Sequence, residues 1–272
     1  MGKKKKRAGP KQTNDTQQDT VGTEPEGKGK AKAKNEKGKE RDFRQWAWGW
    51  VKSIALALVL WFIIQAFFIK SYRIDSGSME PTLYENDFLF INRAVYGAQV
   101  PFTNLHTPKF RDPRRGELIV LRGIEFDSLT IVKRVIGIAG DTLAMRSDSL
   151  FRNGQYVEEP YRKLIDPMAQ MPAAQRQIAR RWQRPHLVNG QASEDFLPGL
   201  RNWGPFVVPE NHLFVMGDNR DASHDGRAWG FLPRNHVIGH PLFIYFSYDP
   251  DSWSPLPFIT AIRWGRLLNT PD

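Results

Sequence analysis

Two serines two positions apart, Ser76 and Ser78, sit in the stretch IDSGSMEPTL at 74–83. A serine hydroxyl is a weak nucleophile until a neighbouring base takes its proton. The chain offers two kinds of base. Histidine occurs at 106, 186, 212, 224, 236 and 240, and a lysine stands in the run TIVKRVI at 130–136. Strand alternation places Ile131, Lys133 and Val135 on one face, and Thr130, Val132 and Arg134 on the other. A lysine between β-branched neighbours is costly to bury charged. Desolvation lowers its pKa, and a lysine poised near neutrality can act as a general base. The plainer reading is a strand lysine whose ammonium reaches water. Likewise the plainer reading of DSGSMEP is a surface turn, which Gly77 lets close tightly. No G-x-S-x-G and no S-x-x-K occurs; the second absence argues against a penicillin-binding or β-lactamase site. There is no cysteine, which excludes thiol catalysis, disulfides and Cys-based metal sites.

A third constellation is GDNRDASHDGRAWG at 217–230. As a calcium loop it fails, because the twelfth position from Asp218 is Trp229 and because Arg220 and Arg227 repel a cation. As a rigid loop it would pair Asp225 with Arg227 and leave the Ser223 hydroxyl to orient a neighbour. By itself this stretch does not choose a function.

The elements that must carry these residues are legible in outline. Residues 1–52 hold 15 Lys+Arg against 7 Asp+Glu, whereas the other 220 residues hold 24 against 22. The basic character therefore belongs to a tail, not to a nucleic-acid-binding fold. Residues 1–42 are too polar to bury a core and read as a disordered tail. SIALALVLWFIIQAFFI at 53–69 is uncharged and long enough to cross a bilayer. Trp46, Trp48 and Trp50 precede it like an interfacial belt, so 43–70 reads as an anchor. Seven Lys/Arg at 32–52 against two at 70–89 put the N-terminus in the cytoplasm and the remainder outside. No small-x-small site follows the apolar run, so an uncleaved anchor is expected.

Beyond it, 71–272 turns to short β-branched and aromatic runs punctuated by Gly, Pro, Asn and Asp: 87–97, 116–123, 129–140, 141–146, 149–160, 212–217 and 236–249. RNGQ at 152–155 predicts a hairpin, and 166–182 predicts a surface helix within an insertion at 161–200. The fold class expected is mostly β, an extracytoplasmic β-sheet domain with a small insertion on a single N-terminal transmembrane helix.

Taken in order, an anchor, S-G-S-M-x-P-T, I-V-K-R-V-I-G-x-x-G-D and G-D-N-R-D-x-S-x-D-x-R-x-W-G resemble the bacterial type I signal peptidases, membrane-anchored Ser-Lys endopeptidases. The resemblance runs from about residue 43 to the end and is weakest over 161–200. It implies Ser78 as nucleophile, Lys133 as general base and Ser76 as oxyanion donor beside the Ser78 N–H. It further implies Ser223 bonded to the Lys133 amine, and Asp225 with Arg227 as a supporting ion pair. Ile74, Leu83 and Val132 would line shallow pockets for small side chains, so that cleavage follows small-x-small sequences. Asp75 stands where many relatives carry Pro.

The partners implied are preprotein signal peptides, the phospholipid bilayer and the secretion translocon, at the cytoplasmic (inner) membrane. No nucleic acid, metal or cofactor is implied. Trp253, Phe258 and Trp264 are candidates for a lipid-facing rim or for core packing. Two other readings compete. A self-cleaving repressor-type Ser-Lys protease would need a helix-turn-helix in place of the anchor. A non-enzymatic membrane-anchored β domain would make Ser78 and Lys133 incidental.

Overall fold

A computed structural model describes residues 28–97, 103, 105, 107–124, 129–166, 168–188 and 196–271 of the chain. The polar tail up to residue 27 lies outside the described residues. From there one helix, α1 (Lys28–Phe67), runs without a break. The backbone of 28–42 is thus helical where composition led us to expect disorder. Ala, Lys, Glu and Arg are strong helix formers, and extending a helix that already exists avoids the nucleation cost. The window Phe43–Gln65 has 23 residues, a mean hydropathy of 1.9 and no buried share. It starts earlier than the uncharged run at 53–69 because it takes in the three tryptophans along with Arg44 and Lys52. It is long and apolar enough to cross a membrane. Contacts divide the chain into two compact units, Met1–Ala57 and Leu58–Asp272, and all the described β-structure belongs to the second.

Seven antiparallel strands form the main sheet, in the order β1 (Ile69–Arg73), β2 (Asp87–Asn92), β11 (Val237–Ser247), β3 (Leu118–Arg122), β4 (Thr130–Ile138), β9 (His212–Met216), β10 (Leu232–Pro233). A second sheet orders β7 (Gln155–Val157), β6 (Ser149–Arg152), β5 (Thr142–Arg146) and β8 (Trp203–Val207). The Asn-Gly signal is met: Asn153 and Gly154 take φ of 55° and 78° between β6 and β7, the left-handed pair that a tight hairpin requires. The 166–182 helix is found shorter and shifted, as α2 (Ala173–Gln183). Pro172 stands at its start, and a proline disfavours helix in the residue before it.

Three apolar clusters hold the unit together. One packs Ile74, Met79, Leu83, Leu89, Ile91, Val120 and Val132 on one side of β4. Another gathers Ile119, Leu121, Val135, Leu213 and Val215, with Ile131 and Trp229 against it, on the other side. The third is the aromatic core of the second sheet, with Trp203, Phe206 and Phe214. The faces of β4 follow the alternation read from TIVKRVI. The register is anchored by Lys133 opposite Ile119 on β3 and Arg134 opposite Met216 on β9.

Candidate active site

Ser78 lies on a single 3₁₀ turn, Gly77–Met79. Met79 is buried to 1% exposure in the cluster with Ile74 and Leu83, and so pins the turn from beneath. Gly77 is not in the left-handed region, contrary to the sequence argument for a tight bend. Its missing side chain serves space instead: a Cβ there would stand 2.9 Å from Glu80 Oε1. Asn219 holds the turn from above. Its N–H donates to Ser78 O at 3.2 Å, and its Nδ2 donates to Gly77 O at 3.0 Å.

Lys133 is buried at 3% exposure, and its Nζ lies 2.6 Å from Ser78 Oγ. Burial is the main cause that lowers its pKa, to about 8; Asp225 and Asp218 act against the fall, and Arg227 adds to it. Among the described residues Lys133 forms no ion pair. Ser76 Oγ is 3.4 Å from Ser78 Oγ. A cavity of about 310 Å³ opens over the pair. Ser76, Ser78, Lys133 and His224 give it polar groups, and Ile124, Leu129, Ile131 and Trp229 form apolar walls.

Asp225 and Arg227 do pair. Asp225 is the N-cap of a one-turn helix, α3 (Gly226–Trp229), and it receives Arg227 Nε at 2.9 Å and Nη2 at 2.8 Å. It also accepts from Gly217 N–H at 2.9 Å. Burial alone would raise the Asp225 carboxyl, but Arg227 beside it holds it below the usual range. Ser223 differs from expectation: its Oγ is buried and has no hydrogen-bond partner, so the bond to Lys133 is not formed. It sits beside Gly217, where a Cβ would collide with it and would come 2.5 Å from Ser78 O.

Ile74, Leu83 and Val132 lie in the buried cluster with exposures of 6%, 0% and 7%. They are not among the residues that wall the cavity. Val132 is on the face of β4 away from Lys133, as alternation requires.

Sequence reasoning missed the ionic frame around the turn. Arg134 gives Nε and Nη2 to Asp218 at 2.8 and 2.7 Å and Nη1 to Gly116 O at 2.7 Å. Thr82 donates to Asp218 Oδ2 at 2.6 Å. Arg220 pairs with Glu159 inside the protein. The partners are 18 to 136 positions apart, so no local signal could have found them. The cavity's His224 was visible as the histidine inside the Asp/Arg loop.

Comparison with known proteins agrees with the geometry. A family model described as signal peptidase, peptidase S26, matches residues 47–246. Signal peptidase I of Pseudomonas aeruginosa is 29% identical over 226 residues, covering 78% of this chain and 76% of that protein. Signal peptidase I S of Bacillus subtilis is 33% identical over 199 residues, covering 73% and 88%. A solved signal peptidase I from Enterococcus faecalis aligns at 26% identity over 48% of this chain and 97% of that one, with a TM-score of 0.31, too low for the superposition to bear on the fold. With the family model spanning most of its length and the serine and lysine motifs inside the matched region, the chain belongs to the signal peptidase family, peptidase S26.

Proposed function

We propose that Ser78 and Lys133 carry out the serine-endopeptidase reaction by which this protein removes N-terminal signal peptides from secreted preproteins. The observation that carries the assignment is a buried amine, poised near neutrality, 2.6 Å from a serine hydroxyl that opens on a cavity. Neutral Lys133 takes the Ser78 proton as Oγ attacks the scissile carbonyl carbon. The oxyanion that forms is met by the Ser78 N–H and the Ser76 hydroxyl. The Lys133 ammonium then gives its proton to the leaving amine, and the C–N bond breaks to leave an acyl-enzyme. Water, deprotonated by the same amine, releases the signal peptide. Asp225 and Arg227 brace the loop that carries Ser223; the family resemblance gives the Ser223 hydroxyl the role of bonding the Lys133 amine.

The substrate binds extended. β9 joins β4 only from Arg134 onward, so Thr130–Lys133 pair with β3 on one side alone. That free edge can take an added strand, between β4 and the chain near 72–75. Ile74, Leu83 and Val132 lie buried in the cluster beneath the catalytic turn and not in the cavity wall, so cleavage after small-x-small sequences rests on the family resemblance. Asp75 lies exposed at this edge, paired with Arg73 at 2.6 Å.

The apolar helix supports a single membrane anchor, the excess of Lys/Arg on its N-terminal side supports an N-terminus inside with 71–272 outside as the catalytic domain, and the family resemblance supports residence in the cytoplasmic membrane. Trp253, Phe258 and Trp264 are all exposed, which favours a lipid-facing rim over core packing. The translocon stays a proposed partner on the resemblance alone.

The test is to incubate the purified protein with a secretory precursor and sequence the product's N-terminus. Cleavage after a small residue is expected, with Phe at that position resisting; equal cutting of Ala and Phe contradicts that specificity. Ser76→Ala is expected to lower kcat by about 10²–10³ while KM stays similar, and an unchanged kcat removes Ser76 from the mechanism. Protease added outside intact spheroplasts should digest the chain beyond Lys70; protection of that part contradicts the topology.

A further inference from the structure

The stretch at the start of the expected insertion is tied to the catalytic turn. Lys163 N–H donates to Asp218 O at 2.8 Å, and Arg220 N–H donates back to Lys163 O at 3.0 Å. The residue is thereby stitched into the same loop that holds Ser78. Its side chain crosses to the nucleophile's own segment, with Nζ 2.7 Å from Glu80 Oε2. The other oxygen of that carboxylate, Oε1, is the atom that comes 2.9 Å from where a Gly77 Cβ would stand. A carboxylate therefore lies against the peptide that leads into the Ser78 N–H. This N–H must donate to the oxyanion that develops in the transition state.

An unneutralised anion there would oppose that charge. Like charges a few ångströms apart repel, more strongly at a protein surface than in bulk water. Glu80 and Lys163 keep a quarter and a third of their side chains exposed, at 25% and 37%, so solvent screens part of this. Lys163 is not needed to hold the turn in place: Met79 from beneath and Asn219 from above already do so. What it alone supplies among the described residues is a cation on Glu80.

We propose that Lys163 is a positioning residue of the reaction, whose ammonium neutralises and turns aside the Glu80 carboxylate next to the Gly77–Ser78 peptide, so that the turn can stabilise the oxyanion. This rests on the reading of Ser78 as nucleophile.

The test uses the full-length enzyme in detergent with a secretory precursor, and separates kcat from KM. Lys163→Met should lower kcat about tenfold with KM changed less than twofold. Lys163→Arg should keep kcat within about twofold, as it retains the cation. The deciding variant is the double one. Glu80→Gln placed on Lys163→Met removes the uncompensated charge, and should bring kcat back to within about threefold of the wild type, although the ion pair is still gone. A role in structure alone predicts the reverse, with the double variant as slow as Lys163→Met or slower. That result, or a Lys163→Met enzyme at the wild-type kcat, overturns the proposal. Ser78→Ala is assayed alongside. If it still cleaves, the nucleophile assignment falls; if it is inactive while Lys163→Met is unimpaired, only the role of Lys163 falls.

Discussion

The two faces of β4 carry neighbouring cations and treat them in opposite ways. Arg134 meets Asp218 through two parallel hydrogen bonds, the Gly116 carbonyl through a third, and the Tyr161 ring at 3.9 Å. Lys133, one residue earlier and buried to the same 3%, meets a serine hydroxyl and, among the described residues, no carboxylate. The acid that acts on it most strongly, Asp225, is already engaged by Arg227 and by Gly217 N–H. Burial penalises a charge on either face. One face answers with a fixed guanidinium fork and a matched carboxylate, and the other lets the amine lose its proton. The role of a buried cation is thus set by what the fold places opposite it. Lysine and arginine differ in the way this needs: arginine stays charged and lysine can be tuned.

That contrast can be broken most strongly from the Lys133 side. Ser78→Ala and Lys133→Met should each lower kcat/KM by at least about 10³, and the double variant should be no worse, because the pair acts as a unit. Additive losses would mean that the two residues work independently. On the opposite face Arg134→Met should strand Asp218 and cost about 3–5 kcal/mol of stability, read by denaturant unfolding, with activity lost only as the fold is lost. Arg134→Lys should recover part of this; if instead it stayed folded but inactive, Arg134 would belong to the chemistry.

Gly217→Ala tests the wall between the two faces. A Cβ there meets Ser223 Oγ and Ser78 O, so the nucleophile must move. A displacement on the order of 1 Å costs about 10² in kcat; a folded, fully active Gly217→Ala would show that the turn has slack. The smallest effect concerns stability. Lys133 has a folded pKa of about 8 against an ordinary 10.5. Between those values the unfolded chain binds more protons, so this residue's contribution rises with pH across that window, and its penalty is complete below pH 8. Lys133→Met should therefore melt a few degrees higher than the wild type at pH 7, at about 2–4 °C per kcal/mol for a unit of this size. The gap should narrow towards pH 10. A lower melting point would mean that packing around the amine outweighs its desolvation.

Much of this is legible in the sequence. Alternation in TIVKRVI separated Lys133 from Arg134, and turn chemistry placed the β6–β7 hairpin, because both depend on neighbours in sequence. The long apolar helix was visible for the same reason. What stayed hidden depends on long-range pairing. β1 and β8 lack a strong strand signal of their own and form because β2 and β5 offer edges. Asp218 finds Arg134 across 84 positions, and Lys163 reaches Glu80 across 83, in a stretch that looked like a peripheral insertion. The buried, unpartnered Ser223 hydroxyl could not be foreseen either, since the resemblance implied a bond to Lys133. Two other readings fare differently against the described residues. A repressor-type protease has no place for a 23-residue apolar window, and an incidental Ser78 is hard to reconcile with a buried amine at 2.6 Å.

The central claim is that a neutral Lys133 amine, and not a histidine, activates Ser78. It is tested most directly by the pH dependence of kcat/KM for precursor cleavage, measured on the wild type and on His224→Ala. We expect a tenfold rise per pH unit on the acid side that levels off near pH 8, with the same midpoint in both proteins, because the titrating group is Lys133. A midpoint near the ordinary histidine value of about 6.5, lost in His224→Ala, would contradict the account and make this a Ser-His enzyme.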